Sequence, residues 1–167
     1  KTQVATVMSN FGLDESLAAS GGRVLRTKVG DRYVIEAMLR KGYNVGGEQS
    51  GHMIFRDFAT TGDGIVSALQ ILRVMADSGK RLSELKQVLK KYPQAQRNLR
   101  VREKPPLESL ANVQKLLAEA EASLDGRGRV LLRYSGTEPK IRLLIEGRDQ
   151  DVINSHADRI ERELQES

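Results

Sequence analysis

The chain contains no cysteine and no tryptophan. Disulfide scaffolds, thiolate metal sites and cysteine nucleophiles are therefore excluded. Aromatic residues make up only 4% of the 167 positions. That leaves few stacking platforms for single-stranded nucleic acid, and nucleic-acid binding is not expected. No apolar run is long enough to span a bilayer, so no membrane partner is expected. No secretory leader is visible, and the chain opens Lys1-Thr2-Gln3-Val4 straight into a strand-like segment. This opening reads as a piece of a longer protein, and a cytoplasmic location is compatible with the missing cysteine.

What is present is an ordinary globular composition, 39% hydrophobic and 29% charged. The net charge is +5. Residues 1–92 carry 14 Lys and Arg against 9 Asp and Glu, whereas residues 93–167 carry 13 of each. The basic excess is thus scattered over the first half. It suits small anionic ligands better than a polyanion.

Strand and helix patterns alternate through the first half. Strands are expected at Thr2–Met8, Arg23–Lys28, Tyr43–Val45 and His52–Phe55, and helices at Asp14–Ala19, Asp31–Lys41, Gly62–Ala76 and Leu82–Lys91. Asp31 is the expected N-cap of its helix, Gly42 the C-cap, and Thr61 or Asp63 the cap of the next. Ile65, Val66, Leu69, Leu72 and Met75 fall at helical spacing and read as a buried face. The pattern predicts an α/β layer structure over residues 1–92. Tyr92-Pro93 breaks it. Beyond lie an extended Gln94–Glu103, a joint at Pro105-Pro106 and a helix from Leu107 to Leu124. Two strands, Arg129–Tyr134 and Lys140–Glu146, and a final helix over Gln150–Gln165 complete the chain. That last helix is expected to bury Val152, Ile153, Ala157, Ile160 and Leu164. Residues 93–167 thus read as a small α+β domain.

The densest chemistry lies at Arg133-Tyr134-Ser135-Gly136-Thr137-Glu138-Pro139-Lys140-Ile141-Arg142. Arg133 and Arg142 offer forked N–H donors that match phosphate oxygens. Ser135 and Thr137 add hydroxyls, and Gly136 lets backbone N–H groups turn towards an anion. A hairpin carrying surface ion pairs is the bland alternative. Gly47-Glu48-Gln49-Ser50-Gly51-His52 sets a carboxylate, a hydroxyl and an imidazole between glycines. Glu48 with Ser50 can receive vicinal sugar hydroxyls, and His52 can aid proton transfer near neutral pH. The same residues also make an ordinary polar turn. Around Gly30, Lys28 and Arg32 can attract an anion while Asp31 caps a helix. No cluster of carboxylates suggests a metal site, and Thr60–Gly64 reads as a helix entry.

Five blocks taken together resemble the α-D-phosphohexomutase superfamily, and within it the bacterial phosphoglucosamine mutases. They are Val4–Asn10, Lys28–Val34, Gly47–His52, Thr61–Gly64 and Ser135–Pro139. The likeness runs over the whole chain in the family's order. It implies most of a three-layer α/β third domain over 1–92 and the small fourth domain, similar to the TATA-box-binding protein, over 93–167. It also implies that Glu48, Ser50 and His52, with Lys28, Gly30, Asp31 and Arg32, face the sugar. Arg133, Ser135, Gly136 and Thr137, supported by Arg142, would hold the phosphate that is not being transferred.

The resemblance further implies a phosphoserine mutase that interconverts glucosamine 6-phosphate and glucosamine 1-phosphate. Its 1,6-bisphosphate would be the intermediate or activator, and homodimerisation is possible at full length. The nucleophilic serine and the Mg²⁺ ligands would lie in first and second domains outside this sequence, leaving no catalytic residue here and an inactive fragment. A glucose- or mannose-phosphate mutase, a non-catalytic phosphosugar-binding module and a general anion binder are the other readings.

Overall fold

Residues Thr2–Thr6 make an inner strand of the first sheet, and Val4, Ala5 and Thr6 in succession are buried. The computed structural model describes residues 1–166 and divides them into two units, Lys1–Lys91 and the rest from Tyr92 on. In the first unit, strands β1 (Thr2–Thr6), β2 (Arg23–Thr27), β3 (Val45–Gly47) and β4 (Met53–Phe55) lie in the order β2-β1-β3-β4. β1 runs parallel to β2 and β3, and β4 is an antiparallel edge.

Helices α1 (Gly12–Ala18) and α2 (Asp31–Lys41) make the two parallel crossovers. The first runs from β1 out to β2 and the second returns from β2 past β1 to β3, in opposite directions along the sheet, so right-handed crossovers place the helices on opposite faces. α2 buries Val34, Ala37 and Met38 against Val4 and Ile54. Arg26 fastens the other side, donating to the carbonyls of Thr6 and Ser9 and pairing with Asp14. Helix α3 (Gly64–Ser78) follows β4, and a short α4 (Leu82–Leu85) leads into a 3-10 turn at Lys86–Val88.

The second unit is a two-layer α+β fold. Strands β5 (Gln94–Arg100), β6 (Gly128–Tyr134) and β7 (Lys140–Gly147) form an antiparallel sheet in the order β5-β7-β6. Helices α5 (Ala111–Leu124) and α6 (Gln150–Glu166) pack on it. Val113, Ala120, Leu124, Leu143, Ile145, Ile153, Ala157 and Ile160 form the core. At ~25 cal/mol per Å² of apolar area, each large side chain among them contributes roughly 1.5–3 kcal/mol.

Several sequence expectations need correction. Gly30, not Asp31, is the N-cap of α2, because the entry needs φ +126, which disfavours a side chain. Asp31 is the first helical residue, and its carboxylate accepts from Arg32 N at 2.7 Å. Strand β3 includes Gly46 and Gly47 rather than stopping before them. The helix expected from Leu107 breaks at Leu110, where ψ is +74, and only Leu107–Ser109 form a 3-10 turn before it. The extended stretch from Gln94 ends as a strand at Arg100, and the helix expected over Leu82–Lys91 ends at Val88. Val152 is 40% exposed, not buried. The largest departure is α3, which buries none of its residues. Ile65 is 75% exposed, Leu69 57% and Leu72 56%. Asp63 caps this helix as expected, accepting from Ile65 N and Val66 N.

Candidate functional site

The parallel strands β1, β2 and β3 end at Thr6, Thr27 and Gly47. In open α/β sheets, ligands bind beyond such carboxyl ends, where connections leave a strand in opposite directions. Both sugar-facing candidates of the first unit follow these ends: residues 28–32 after β2 and residues 48–52 after β3.

Residues 48–52 form the tip of the β3–β4 hairpin. Glu48 N donates to His52 O at 2.9 Å, and Gly51, with φ +97, closes the turn onto Glu48 O at 3.2 Å. The Glu48 carboxylate is only 10% exposed. The Ser50 hydroxyl donates to Glu48 Oε1 at 2.7 Å and meets His52 Nδ1 at 3.0 Å. With its one hydrogen given to Glu48, Ser50 Oγ is an acceptor for Nδ1–H. That assignment leaves His52 Nε2 as the free acceptor of a neutral ring. The three candidates thus form one hydrogen-bonded chain. Gln49, itself exposed, accepts from the buried Thr6 hydroxyl at 3.1 Å. The sequence reading assigned Gln49 no task, and only its place after a buried strand end hinted at one.

The residues 28–32 are more open. Lys28 is exposed, and Thr27 donates to its carbonyl at 3.0 Å. Arg32 is 81% exposed and donates to Glu36 at 2.8 Å, one turn along α2. Arg32 and Asp31 are therefore engaged within the helix, which leaves Lys28 the less committed charge of the group.

In the second unit, Arg133 on β6 stands directly opposite Arg142 on β7. Both guanidinium Nε atoms are buried with no hydrogen-bond partner among the described residues. Burial, and then the Arg142 charge, hold the Arg133 pKa below its ordinary value. Like charges opposed on adjacent strands repel, and buried donors without acceptors cost roughly 1–3 kcal/mol each. A bound anion would relieve both.

The turn between the two strands is braced. Ser135 N donates to Lys140 O at 2.8 Å, and the buried Ser135 Oγ accepts from Glu138 N at 3.3 Å. The Gly136 and Thr137 N–H groups make no hydrogen bond among the described residues. A Cβ on Gly136 would meet nothing within 4 Å, so the space beside it is open. The Glu138 carboxylate takes Lys140 Nζ and Arg142 Nη2, each at 2.5 Å.

Three contacts unseen in the sequence fasten this turn from behind. Lys104 Nζ donates to Ser135 O at 2.8 Å, Tyr134 Oη to Pro105 O at 2.8 Å, and Val101 N to Pro139 O at 3.0 Å. Only the Lys-Pro-Pro run hinted that this segment had a fixed course. A cavity of about 570 Å³ lies beside it, lined by Leu99, Val101, Pro105, Leu110, Tyr134 and Ile141 among others.

The description "Phosphoglucomutase/phosphomannomutase, alpha/beta/alpha domain III" fits residues 1–92, and the C-terminal domain of the same family fits residues 97–163. The chain belongs to the phosphoglucomutase/phosphomannomutase family. It is 53% identical to phosphoglucosamine mutase of Anaeromyxobacter sp. (strain Fw109-5), over 100% of this chain and 36% of that protein. It is 54% identical to phosphoglucosamine mutase of Geotalea daltonii, over 96% of this chain and 35% of that protein. The chain thus spans about a third of the length of these relatives and corresponds to domain III and the C-terminal domain.

Aspergillus fumigatus N-acetylphosphoglucosamine mutase shares the fold, with a TM-score of 0.82 at 19% identity over 99% of this chain and 38% of that one. The same fungal enzyme has been solved with GlcNAc-6P and magnesium, with a TM-score of 0.77 at 18% identity over 99% of this chain and 39% of that one. A variant has been solved with glucose 1,6-bisphosphate, with a TM-score of 0.76 at 17% identity over 99% of this chain and 38% of that one. Among the described residues of this chain, no three His, Asp or Glu side chains gather to hold a metal ion. No described helix is long and apolar enough to cross a membrane.

Proposed function

We propose that this chain is the third and fourth domains of a phosphoglucosamine mutase. The whole enzyme would interconvert glucosamine 6-phosphate and glucosamine 1-phosphate in the cytoplasm, for UDP-N-acetylglucosamine and cell-wall precursor synthesis. In that role the first unit reads the sugar, and the hairpin of the second unit grips the phosphate that stays in place. The observation that carries this reading is the opposed Arg133–Arg142 pair, with two buried Nε–H donors and no acceptor. Identity of 53% over the full chain to a phosphoglucosamine mutase supports the amino-sugar substrate over glucose or mannose phosphates.

The residues divide the work by chemistry. Glu48 accepts from vicinal hydroxyls of the hexose, and the Ser50 hydroxyl fixes one oxygen of its carboxylate. His52, with Nε2 free, can take a proton from a reacting hydroxyl and return it. Arg133 and Arg142 meet the phosphate oxygens, while Ser135, Gly136 and Thr137 supply hydroxyl and backbone donors. Lys28, with Gly30, Asp31 and Arg32, makes a less specific basic rim. Phosphoryl transfer also needs an in-line nucleophile and a metal to offset developing charge. We assign the phosphoserine and the Mg²⁺ ligands to the upstream domains, and the 1,6-bisphosphate to the intermediate. The contribution of this chain is positioning, which lowers the barrier without making a bond.

Calorimetric titration with glucosamine 6-phosphate tests the assignment. The chain should bind it, Glu48→Ala and Arg133→Ala should each weaken binding, and the chain alone should show no turnover. Conversion of glucosamine 6-phosphate by the purified chain would overturn this division of labour. Binding insensitive to both substitutions would overturn the site.

A further inference from the structure

Glu138 is the one acidic residue of the 133–142 turn, and the phosphate reading gives it no task. It places a negative charge among three positive ones. Lys140 Nζ and Arg142 Nη2 each donate to it at 2.5 Å, one on each carboxylate oxygen. These contacts hold the carboxyl below the ordinary range, so it is ionised in the pH range of enzymes. Arg133, the third cation, keeps its buried Nε without a hydrogen-bond partner among the described residues. The carboxylate is 38% exposed, so it can leave its partners without crossing protein. Pro139 constrains the backbone on its far side, which confines such a movement to the side chain.

We propose that Glu138 is the resident counter-anion of the phosphate site. It holds Arg142 and Lys140 in place while the site is empty, and it gives up part of its hold on Arg142 when phosphate arrives. This rests on reading the turn as a phosphate site, and it adds a residue that sets how tightly that site closes. Arg142 already shows the divided state, with Nη2 on Glu138 and Nε without an acceptor. The incoming dianion therefore meets one free guanidinium edge and one that must be won from a carboxylate. The consequence is functional. Three uncompensated cations would hold a phosphate equally well before and after reaction, and uniform binding of that kind does not speed turnover. A carboxylate in the cluster weakens the grip while keeping the donors aligned.

The opposing possibility is that Glu138 only orders the loop. The two differ in sign, because a purely structural residue weakens phosphate binding when removed, whereas a competitor strengthens it. The test is titration of inorganic phosphate against the chain, Glu138→Gln, Glu138→Ala and Arg133→Ala, with circular dichroism to confirm folding. We expect Glu138→Gln to bind phosphate roughly tenfold tighter, with a steeper loss on adding salt, since one repulsive charge has gone. Glu138→Ala should shift in the same direction by less, because it also frees the loop. Weaker or unchanged binding in both Glu138 variants overturns the proposal. If Arg133→Ala loses phosphate at the same time, the phosphate reading survives it. Absence of binding in the chain and in every variant overturns both.

Discussion

Arg133 and Arg142 face each other across the antiparallel β6–β7 ladder, and each keeps a buried Nε–H without an acceptor. The ligand-free fold therefore carries a local electrostatic cost. Arg133→Met keeps the aliphatic packing but removes one charge and one orphaned donor. We expect it to raise the melting temperature of the ligand-free chain by about 2–4 °C, the range that follows from roughly 1 kcal/mol in a chain of this size. Phosphate affinity should fall by at least about tenfold, as expected when a charge-assisted pair is lost. Thermal melts with and without 50-fold excess phosphate check both halves, and a lowered melting temperature without ligand would contradict the account.

The arginines, the hydroxyls and the glycine of this turn were legible because residue type alone names their chemistry. The task of Glu138 was not, since it depends on which side chains the register brings within reach. The same limit explains the elbow. Glu48, Ser50 and His52 could be named from the sequence, but their union in one hydrogen-bonded chain needed the closure of the β3–β4 tip. Gly46 was expected just beyond the strand Tyr43–Val45, yet it lies inside one. A Cβ there would stand 2.5 Å from Met38 Sδ and 2.7 Å from Val34 Cγ1, so its absence is what lets α2 approach the sheet. Periodicity located α3 correctly and misjudged its burial. Spacing tells which residues share a face, and it is silent on what covers that face.

Helix α3 turns that failure into a measurement. Its sequence carries only Arg73 and Asp77 as charged residues, so it is apolar on more than one side. Leu69 is 57% exposed, whereas Ile145 on β7 is fully buried. Leu69→Ser should cost this chain less than about 1 kcal/mol, in line with surface substitutions. Ile145→Ala should cost about 2–4 kcal/mol through lost burial and a residual cavity. Urea unfolding followed by circular dichroism separates them, and comparable losses would mean that α3 is covered in solution.

His156 supplies a pH dependence with a definite sign. Burial and the neighbouring Arg159 lower its pKa below 6.5, against a smaller opposing effect of Glu119. Its Nε2 lies 2.8 Å from Ser123 Oγ, whose hydrogen is given to Ala120 O. Nε2–H is therefore the donor in the neutral ring. Between the folded pKa and 6.5, the unfolded chain binds a proton that the folded chain refuses. Stability from this group is complete above pH of about 6.5 and is lost as the pH falls towards the folded value. Melting temperatures from pH 7.5 down to 5 should decline across that window, and His156→Gln should flatten the decline. An equal slope in the variant would assign it to other groups.

Gly47 offers a way to move the sugar-reading elbow without touching its chemistry. A Cβ at this position would lie 2.5 Å from the carbonyl oxygen of His52, an atom of the backbone that cannot swing aside. That carbonyl accepts the Glu48 N–H which closes the tip, so Gly47→Ala must push the two sides of the hairpin apart. The Ser50 bridge between Glu48 and His52, which relies on contacts of 2.7 and 3.0 Å, should open with it. We expect Gly47→Ala to weaken glucosamine 6-phosphate binding about as much as Glu48→Gln does. Inorganic phosphate, which needs only the 133–142 turn, should bind to both variants as it does to the parent chain. Paired titrations with the two ligands decide it. A parallel loss of inorganic phosphate would show that the elbow does not read the sugar separately. An unchanged affinity for the hexose phosphate would show that the Glu48–Ser50–His52 chain has no part in recognition.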